Sequence, residues 1–199
     1  MKKGIIGAGG FGREVFWSLN PIERNKTVFF VNDEYWDNSD PNILPLSLFE
    51  TDKYELIVAI GDPFARKIVI ESLPKKTKFF THIHPSVQIL GDDVEIGEGT
   101  IICAGTILTT NIKIGKHSHL NLQTTVGHDT VIGDFFTTAP GAKISGNCKI
   151  GDLVYIGTNA SVREKITIND MVTVGLNSGV VKNILEPGVY GGLPSKKIK

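Results

Sequence analysis

The chain has 199 residues, 41% of them hydrophobic and 21% charged, a balance ordinary for a globular protein. Its 21 basic and 21 acidic residues cancel, which removes the electrostatic case for a nucleic-acid partner or an anionic membrane surface. Two cysteines, Cys103 and Cys148, exclude a disulfide framework and have no metal-ligand spacing; no segment approaches the ~20 apolar residues of a membrane helix, and Met1 to Gly7 is too short for a signal peptide, so a cytoplasmic, metal-free protein is expected.

Residues 1–83 alternate strand and helix signals. Gly4 to Ile6 reads as a strand that runs into Gly7-Ala8-Gly9-Gly10-Phe11-Gly12 and then a helix over Arg13 to Leu19. Val28 to Val31 is a second strand ending at Asn32-Asp33-Glu34. Glu55 to Ile60 is a third, entering Gly61-Asp62-Pro63 and a helix over Phe64 to Leu73, and Lys78 to Phe80 is a last short strand. Such alternation predicts a small parallel sheet with helical cover. The glycines match G-x-G-x-x-G after a strand and before a helix, and Asp33 lies about twenty residues on, where a dinucleotide fold keeps its ribose-binding acid. A full dinucleotide fold needs two mononucleotide halves, and only about 80 residues are available here, with no dehydrogenase residues in view. A half-fold still suits one nucleotide: phosphate at the backbone N–H groups of the glycine turn and helix start, sugar and base at the strand ends, Asn32-Asp33 and Gly61. The plainer reading gives these glycines only a tight turn and close packing.

From Leu90 the grammar changes to a period of six. Stepping by six from Leu90 to Val180, fifteen of sixteen positions are Ile, Leu or Val, and Thr138 is the exception. The next position is often glycine, and the position four after the aliphatic is small or apolar, from Val94 to Ser178. Period six fits neither a helix nor a lone strand. Three hexads make one triangular coil, each coil burying its aliphatic residues only against its neighbours, as solenoids do. Glycine is expected to serve the tight turns. The repeat from Leu90 to Val181 has no evident insertion, so ligand surfaces are expected on its faces and corners. The break at Thr138, beside Phe136, marks either a relaxed coil or the border of a site.

The hexapeptide pattern resembles the left-handed β-helix of the hexapeptide-repeat acyltransferases. With a small half-Rossmann unit before it, the whole chain resembles the NeuD/PglD-like family of sugar acyltransferases. The joint Thr81-His82-Ile83-His84-Pro85-Ser86 looks like that family's linker, and Gly188 to Lys196 like its closing segment. The resemblance implies a nucleotide-sugar-binding unit over 1–83 and an acyltransferase β-helix over 84–199. It further implies acetyl-CoA as acyl donor, a nucleotide-linked amino sugar as acceptor, and a homotrimer with sites between neighbouring β-helices. The C4 amine of a 4-amino-4,6-dideoxy sugar is the expected acceptor. O-acetylation of a sialic acid, or a non-catalytic nucleotide-sugar-binding trimeric scaffold, are the alternatives.

The family motif of a histidine followed by an acid matches Val126-Gly127-His128-Asp129. By resemblance His128 is the general base, Asp129 raises its basicity, and Asn121 orients groups nearby. A histidine near pKa ~6.5 accepts a proton at neutral pH, so the chemistry is sound on its own terms. Without the resemblance, His128 is only a corner histidine on a prism surface. Where relatives often carry a second histidine, this chain has Thr137, which hydrogen-bonds but does not titrate. The positions matched to coenzyme A contacts are Thr137, Thr158 and Leu176, and those matched to the nucleotide sugar are Gly9, Gly10, Phe11, Asn32, Asp33 and Gly61. Phe11 replaces a residue that is often polar in relatives. His82 and His84 read as linker residues; His117 and His119, two apart, are expected on opposite sides of a strand.

Overall fold

The computed structural model describes residues 1–199. The N-terminal unit contains β1 (Lys2–Ile6), α1 (Gly10–Ser18), α2 (Pro21–Arg24), β2 (Thr27–Val31), β3 (Ile43–Pro45), β4 (Tyr54–Val58), α3 (Pro63–Ser72) and β5 (Lys78–Phe79). All five strands are parallel, in the order β3-β2-β1-β4-β5. The four strands and two longer helices expected from the pattern are present. Two short elements were illegible. β3 has three residues and ends in Pro45, tolerable because it pairs only with β2 at the sheet's edge. α2 is a single turn capped by Asn20, whose side chain accepts the Glu23 N–H at 3.0 Å. Because β1 pairs with β2 on one side and β4 on the other, the order reverses there and opens a crevice at the strands' carboxyl ends, the ligand position in open α/β sheets. The unit is the small Rossmann-like sheet expected. Ile5, Phe30, Leu56 and Ile57 form its solvent-free centre.

The rest of the chain winds into a parallel β-helix of triangular section with three faces. Face I carries His82–Ile83, Ile101–Ile102, His119–Leu120, Thr137–Thr138, Tyr155–Ile156 and Val172–Val174; face II runs from Gln88–Ile89 to Gly179–Val180, and face III from Val94–Ile96 to Thr167–Ile168. Each strand pairs with the one a coil away, as Leu120 does with Thr138 and Thr138 with Ile156. The hexad aliphatics and the small residues four places on are buried together, so the interior is a stacked column. Its threonine hydroxyls bond to carbonyls of the coil, as Thr130 does to Ser145.

The structure corrects three details of the sequence reading. First, the coils begin before Leu90: His82–Ile83 pairs with Ile101–Ile102, and this first coil has nineteen residues rather than eighteen. The extra residue falls after Ile89, because Val94 already pairs with Ile112 at the regular step. Leu90 consequently leaves the ladder and is exposed. The first rung also lies before residue 84, where the second unit was expected to start. Second, the glycines after the aliphatics do not make the left-handed turns. Those occur two residues later, at Gly99, Asn111, His117, Asp129, Phe135, Asn147 and their equivalents. The glycines instead allow coils to stack closely: a Cβ on Gly157 would lie 2.6 Å from the Leu176 nitrogen. Third, His117 and His119 do not point apart. His117 occupies a left-handed corner, φ 54°, which breaks strand alternation, and both rings turn toward the N-terminal unit.

The C-terminal segment closes the prism: Gly188–Gly191 adds to face I alongside Val172–Val174, and Lys196–Lys197 returns antiparallel to it.

Candidate active site

Face I is where the two units meet, and one side chain organises the contact. Arg66, on the buried side of α3, is fully shielded from solvent. Its Nε donates to the His117 carbonyl at 2.9 Å, Nη1 to Ile60 at 2.6 Å, and Nη2 to Phe135 at 2.8 Å and to the Thr137 hydroxyl at 2.8 Å. Nη1 also lies 3.2 Å from His119 Nδ1; arginine only donates, so this nitrogen accepts and His119 carries its proton on Nε2. Burial pulls the Arg66 guanidinium down to about 9, still cationic at neutral pH. Burial likewise holds His117 at about 4 and His119 well below the ordinary histidine value, so both rings are neutral.

Thr137 is thereby accounted for. Its hydroxyl accepts from Arg66 and donates to the Gly61 carbonyl at 3.1 Å, tying the loop after β4 to the prism. Thr138, the break in the ladder, turns its hydroxyl inward to Thr124 at 2.7 Å and accepts the Asn121 N–H at 2.9 Å. The irregular coil is thus satisfied internally and fixes the corner that bears Asn121. A cavity of about 210 Å³ opens here, lined by Phe11, Glu14, Gly61, Asn121 and Thr137 among others. Phe11 packs on the His119 ring with centroids 5.2 Å apart and presses α1 toward face I.

The nucleotide-side candidates divide between two neighbouring hollows. Gly9 and Asn32, with Tyr35, line a crevice of about 280 Å³ at the carboxyl ends of β1 and β2. Gly7 takes φ 104° for the tight turn, and a Cβ on Gly12 would collide with the Gly7 carbonyl, so these two glycines make the turn and the helix–strand contact. Gly9 and Gly10 have open space beside them, and Gly9 caps α1 without a side-chain bond, leaving helix-start N–H groups free for an anion. Phe11 and Gly61 line the junction cavity instead. Asp33 is exposed, and the Ser47 side chain together with the Ser47 N–H, 3.1 Å from its oxygen, holds its carboxyl below the usual range. The larger cleft, about 520 Å³ around Arg13, Arg24 and Lys26, opens toward the start of β2 and away from the glycine turn.

Along the edge between faces I and II, Leu122, Pro140, Thr158 and Leu176 stand one coil apart in a row. Thr158 and Leu176 are both exposed there, beginning one coil above the junction cavity.

His128 is elsewhere. It sits on the edge between faces II and III, opposite face I, in the corner between Thr125–Val126 and Val131–Ile132. Its Nδ1 lies 2.7 Å from Asp129 Oδ2, and Asn111 Nδ2 donates to Asp129 Oδ1 at 2.7 Å. A carboxylate only accepts, so Nδ1 carries the proton and Nε2 presents a lone pair to solvent. Asp129 adopts φ 59°, which aims its carboxylate back at the preceding ring, and the bonds from His128 and Asn111 hold its carboxyl below the usual range. Gly146 lies beneath the ring: a Cβ there would come within 2.8 Å of Nε2. Asn121 lies near Thr137, not near His128, so one chain brings together Phe11, Gly61, Asn121 and Thr137 but leaves the expected base apart from them.

Pattern reading missed Arg66, Asn111, Gly146 and Glu14. Arg66 had a signal, a charge three residues after Pro63 on a face otherwise apolar; Asn111 had one too, eighteen residues before Asp129 at an equivalent corner. Cys103 and Cys148 are buried or nearly so, and burial pushes the Cys103 thiol up to about 12, far from a nucleophile's range. No three metal-ligating side chains converge, and no helix is long and apolar enough to cross a membrane.

A Rossmann-like parallel sheet followed by a hexapeptide-repeat β-helix, with a carboxylate-paired histidine at a corner, defines the sugar-acyltransferase class. Residues 4–73 match the PglD N-terminal domain family and residues 129–164 the bacterial transferase hexapeptide family. The chain is 34% identical over 154 residues, 72% of its length and 69% of the relative's, to the GDP-perosamine N-acetyltransferase of Escherichia coli O157:H7. It superposes on WeeI from Acinetobacter baumannii AYE with TM-score 0.87 and 32% identity, covering 98% of this chain and 99% of that one. A variant of the perosamine N-acetyltransferase of Caulobacter crescentus, solved with CoA and GDP-perosamine, aligns with TM-score 0.89 and 25% identity over 100% of this chain and 97% of that one. The chain belongs to the NeuD/PglD family of sugar acyltransferases.

Proposed function

We propose that the chain transfers acetyl from acetyl-CoA to the amine of a nucleotide-linked 4-amino-4,6-dideoxy sugar, with His128 as general base. One observation carries the mechanism: His128 is exposed, its Nδ1 is occupied by Asp129, Asp129 is in turn held by Asn111, and Nε2 is left free. The sugar nitrogen attacks the thioester carbonyl carbon and the carbon–sulfur bond breaks. The proton shed by the nitrogen passes to His128 Nε2 and on to the departing sulfur, giving an amide and free CoA thiol. Asp129 favours the imidazolium formed in between. The similarity to GDP-perosamine N-acetyltransferases supports an amine acceptor and a nucleotide-linked sugar.

The nucleotide sits at the glycine turn, its sugar directed into the junction cavity beside Gly61 and Asn121; the pantetheine arm follows the edge marked by Thr158 and Leu176. His128 lies on the opposite edge of its own prism, so a second copy supplies the base. Separation of the two halves of the site within one chain supports a homotrimer, in which each edge faces a neighbour. The test is thiol release on mixing the protein with acetyl-CoA and GDP-, dTDP- or UDP-linked 4-amino-4,6-dideoxy sugars. Release with one of them, abolished in His128→Ala, is expected. Release that survives the substitution contradicts the role of His128, and release only with a sialic acid replaces the acceptor.

A further inference from the structure

We infer that Glu14 is a specificity-determining residue that receives the acceptor's ammonium group in the junction cavity. The inference rests on the acetyltransferase reading and sharpens it toward a cationic acceptor.

Glu14 follows Phe11 by three residues on α1, so the two side chains share a face of the helix. Phe11 fixes that face against His119, which sets Glu14 at the cavity wall with Gly61, Asn121 and Thr137. Seven of the ten glutamates pair with a lysine or arginine; Glu14 has no ion pair and no side-chain hydrogen bond. Nothing nearby compensates it. The Arg66 guanidinium lies behind Thr137 with its N–H groups directed at carbonyls, the Thr137 hydroxyl and His119, and the His119 ring is neutral.

A lone carboxylate at the cavity wall gains more from a cationic ligand than from a neutral hydroxyl. A sugar amine binds as its ammonium form and makes a charge-assisted hydrogen bond to that carboxylate. It then gives up one proton to solvent and attacks as the neutral amine. Phe11 gives no polar contact itself, and Glu14 supplies one a turn further along.

The experiment measures binding of GDP-, dTDP- and UDP-linked 4-amino-4,6-dideoxyhexoses, each beside its 4-hydroxy counterpart, to the full-length protein and to Glu14→Gln. Glu14 is exposed and the change nearly isosteric, so folding is expected to be untouched, checked by the melting temperature. Wild type should prefer the amino sugar by about tenfold or more, the size of a hydrogen bond to a charged group. Glu14→Gln should lose that preference while its affinity for the hydroxy sugar stays within about twofold. Wild-type preference should also fade at alkaline pH as the ammonium deprotonates. An undiminished preference in Glu14→Gln overturns the role of Glu14 and leaves the acetyltransferase reading intact. Wild type that binds neither sugar in any nucleotide series overturns both.

Discussion

The junction on face I and the edge that carries His128 are built in opposite ways. At the junction, Arg66, His117, His119 and Thr137 are all buried, and a guanidinium without a carboxylate is held by carbonyl oxygens from both units. At the edge, the His128 and Asp129 side chains stand in solvent, bonded only to each other and to Asn111. The first arrangement fixes a cavity; the second leaves His128 Nε2 facing solvent. Loss at the junction should therefore appear as lost stability, and loss at the edge as lost chemistry in an intact fold.

The largest effect expected is at the edge. His128→Ala should lower kcat by about 10²–10⁴-fold, the usual worth of a general base, with an unchanged melting temperature. A matching loss of stability would erase the contrast. Arg66→Ala should be nearly as severe but of the other kind. It strands several buried carbonyls, each worth ~1–3 kcal/mol, and should cost at least about 3 kcal/mol in denaturant unfolding. Asp129→Asn should reduce kcat/KM by about tenfold, since the ring loses the carboxylate that orients it and stabilises the imidazolium formed during transfer. Asn111→Ala, one contact further out, should cost severalfold at most, about 1 kcal/mol.

The junction also has a pH signature in its stability. Burial holds His82 and His117 at about 4, whereas the unfolded chain binds protons near 6.5. Acid thus favours the unfolded state. Stability should be whole above pH 6.5 and fall progressively as the pH is lowered toward 4. Phenylalanine is tolerated at an equivalent corner in Phe135, and His117→Phe keeps the stacking with that ring while removing the titrating group, so its melting temperature should decline less steeply with acid.

The prism was legible because its period is set by stacking: a residue at one phase meets its counterpart a coil away, so the pattern had to repeat. The single slip, at Leu90, came where an extra residue changes register without interrupting the run of aliphatics, since Ile89 and Leu90 both fit the ladder. The role of glycine was misplaced because close stacking and a left-handed turn both favour that residue, and only the backbone angles separate them. The glycine turn of the N-terminal unit was readable from local chemistry. Arg66 was not, because its partners on the prism lie 51 to 71 residues along the chain and are mostly carbonyls, which every residue possesses. The same holds for the site. His128 and Asp129 are adjacent and were readable together by resemblance, whereas no sequence spacing reveals that Asn121 and His128 occupy different edges.

That separation is the central claim: each site joins the nucleotide turn of one chain to the His128 edge of another. Gly10→Asp places a carboxylate where the phosphates are expected, in space that is open and leaves the fold undisturbed. Neither Gly10→Asp nor His128→Ala alone should release thiol at an appreciable rate. Unfolded together and refolded as an equal mixture, the two chains should recover about a quarter of wild-type activity, since about that fraction of sites pairs an intact turn with an intact histidine from its neighbour. A mixture as inactive as its components would place both groups in the same chain's site and contradict the account.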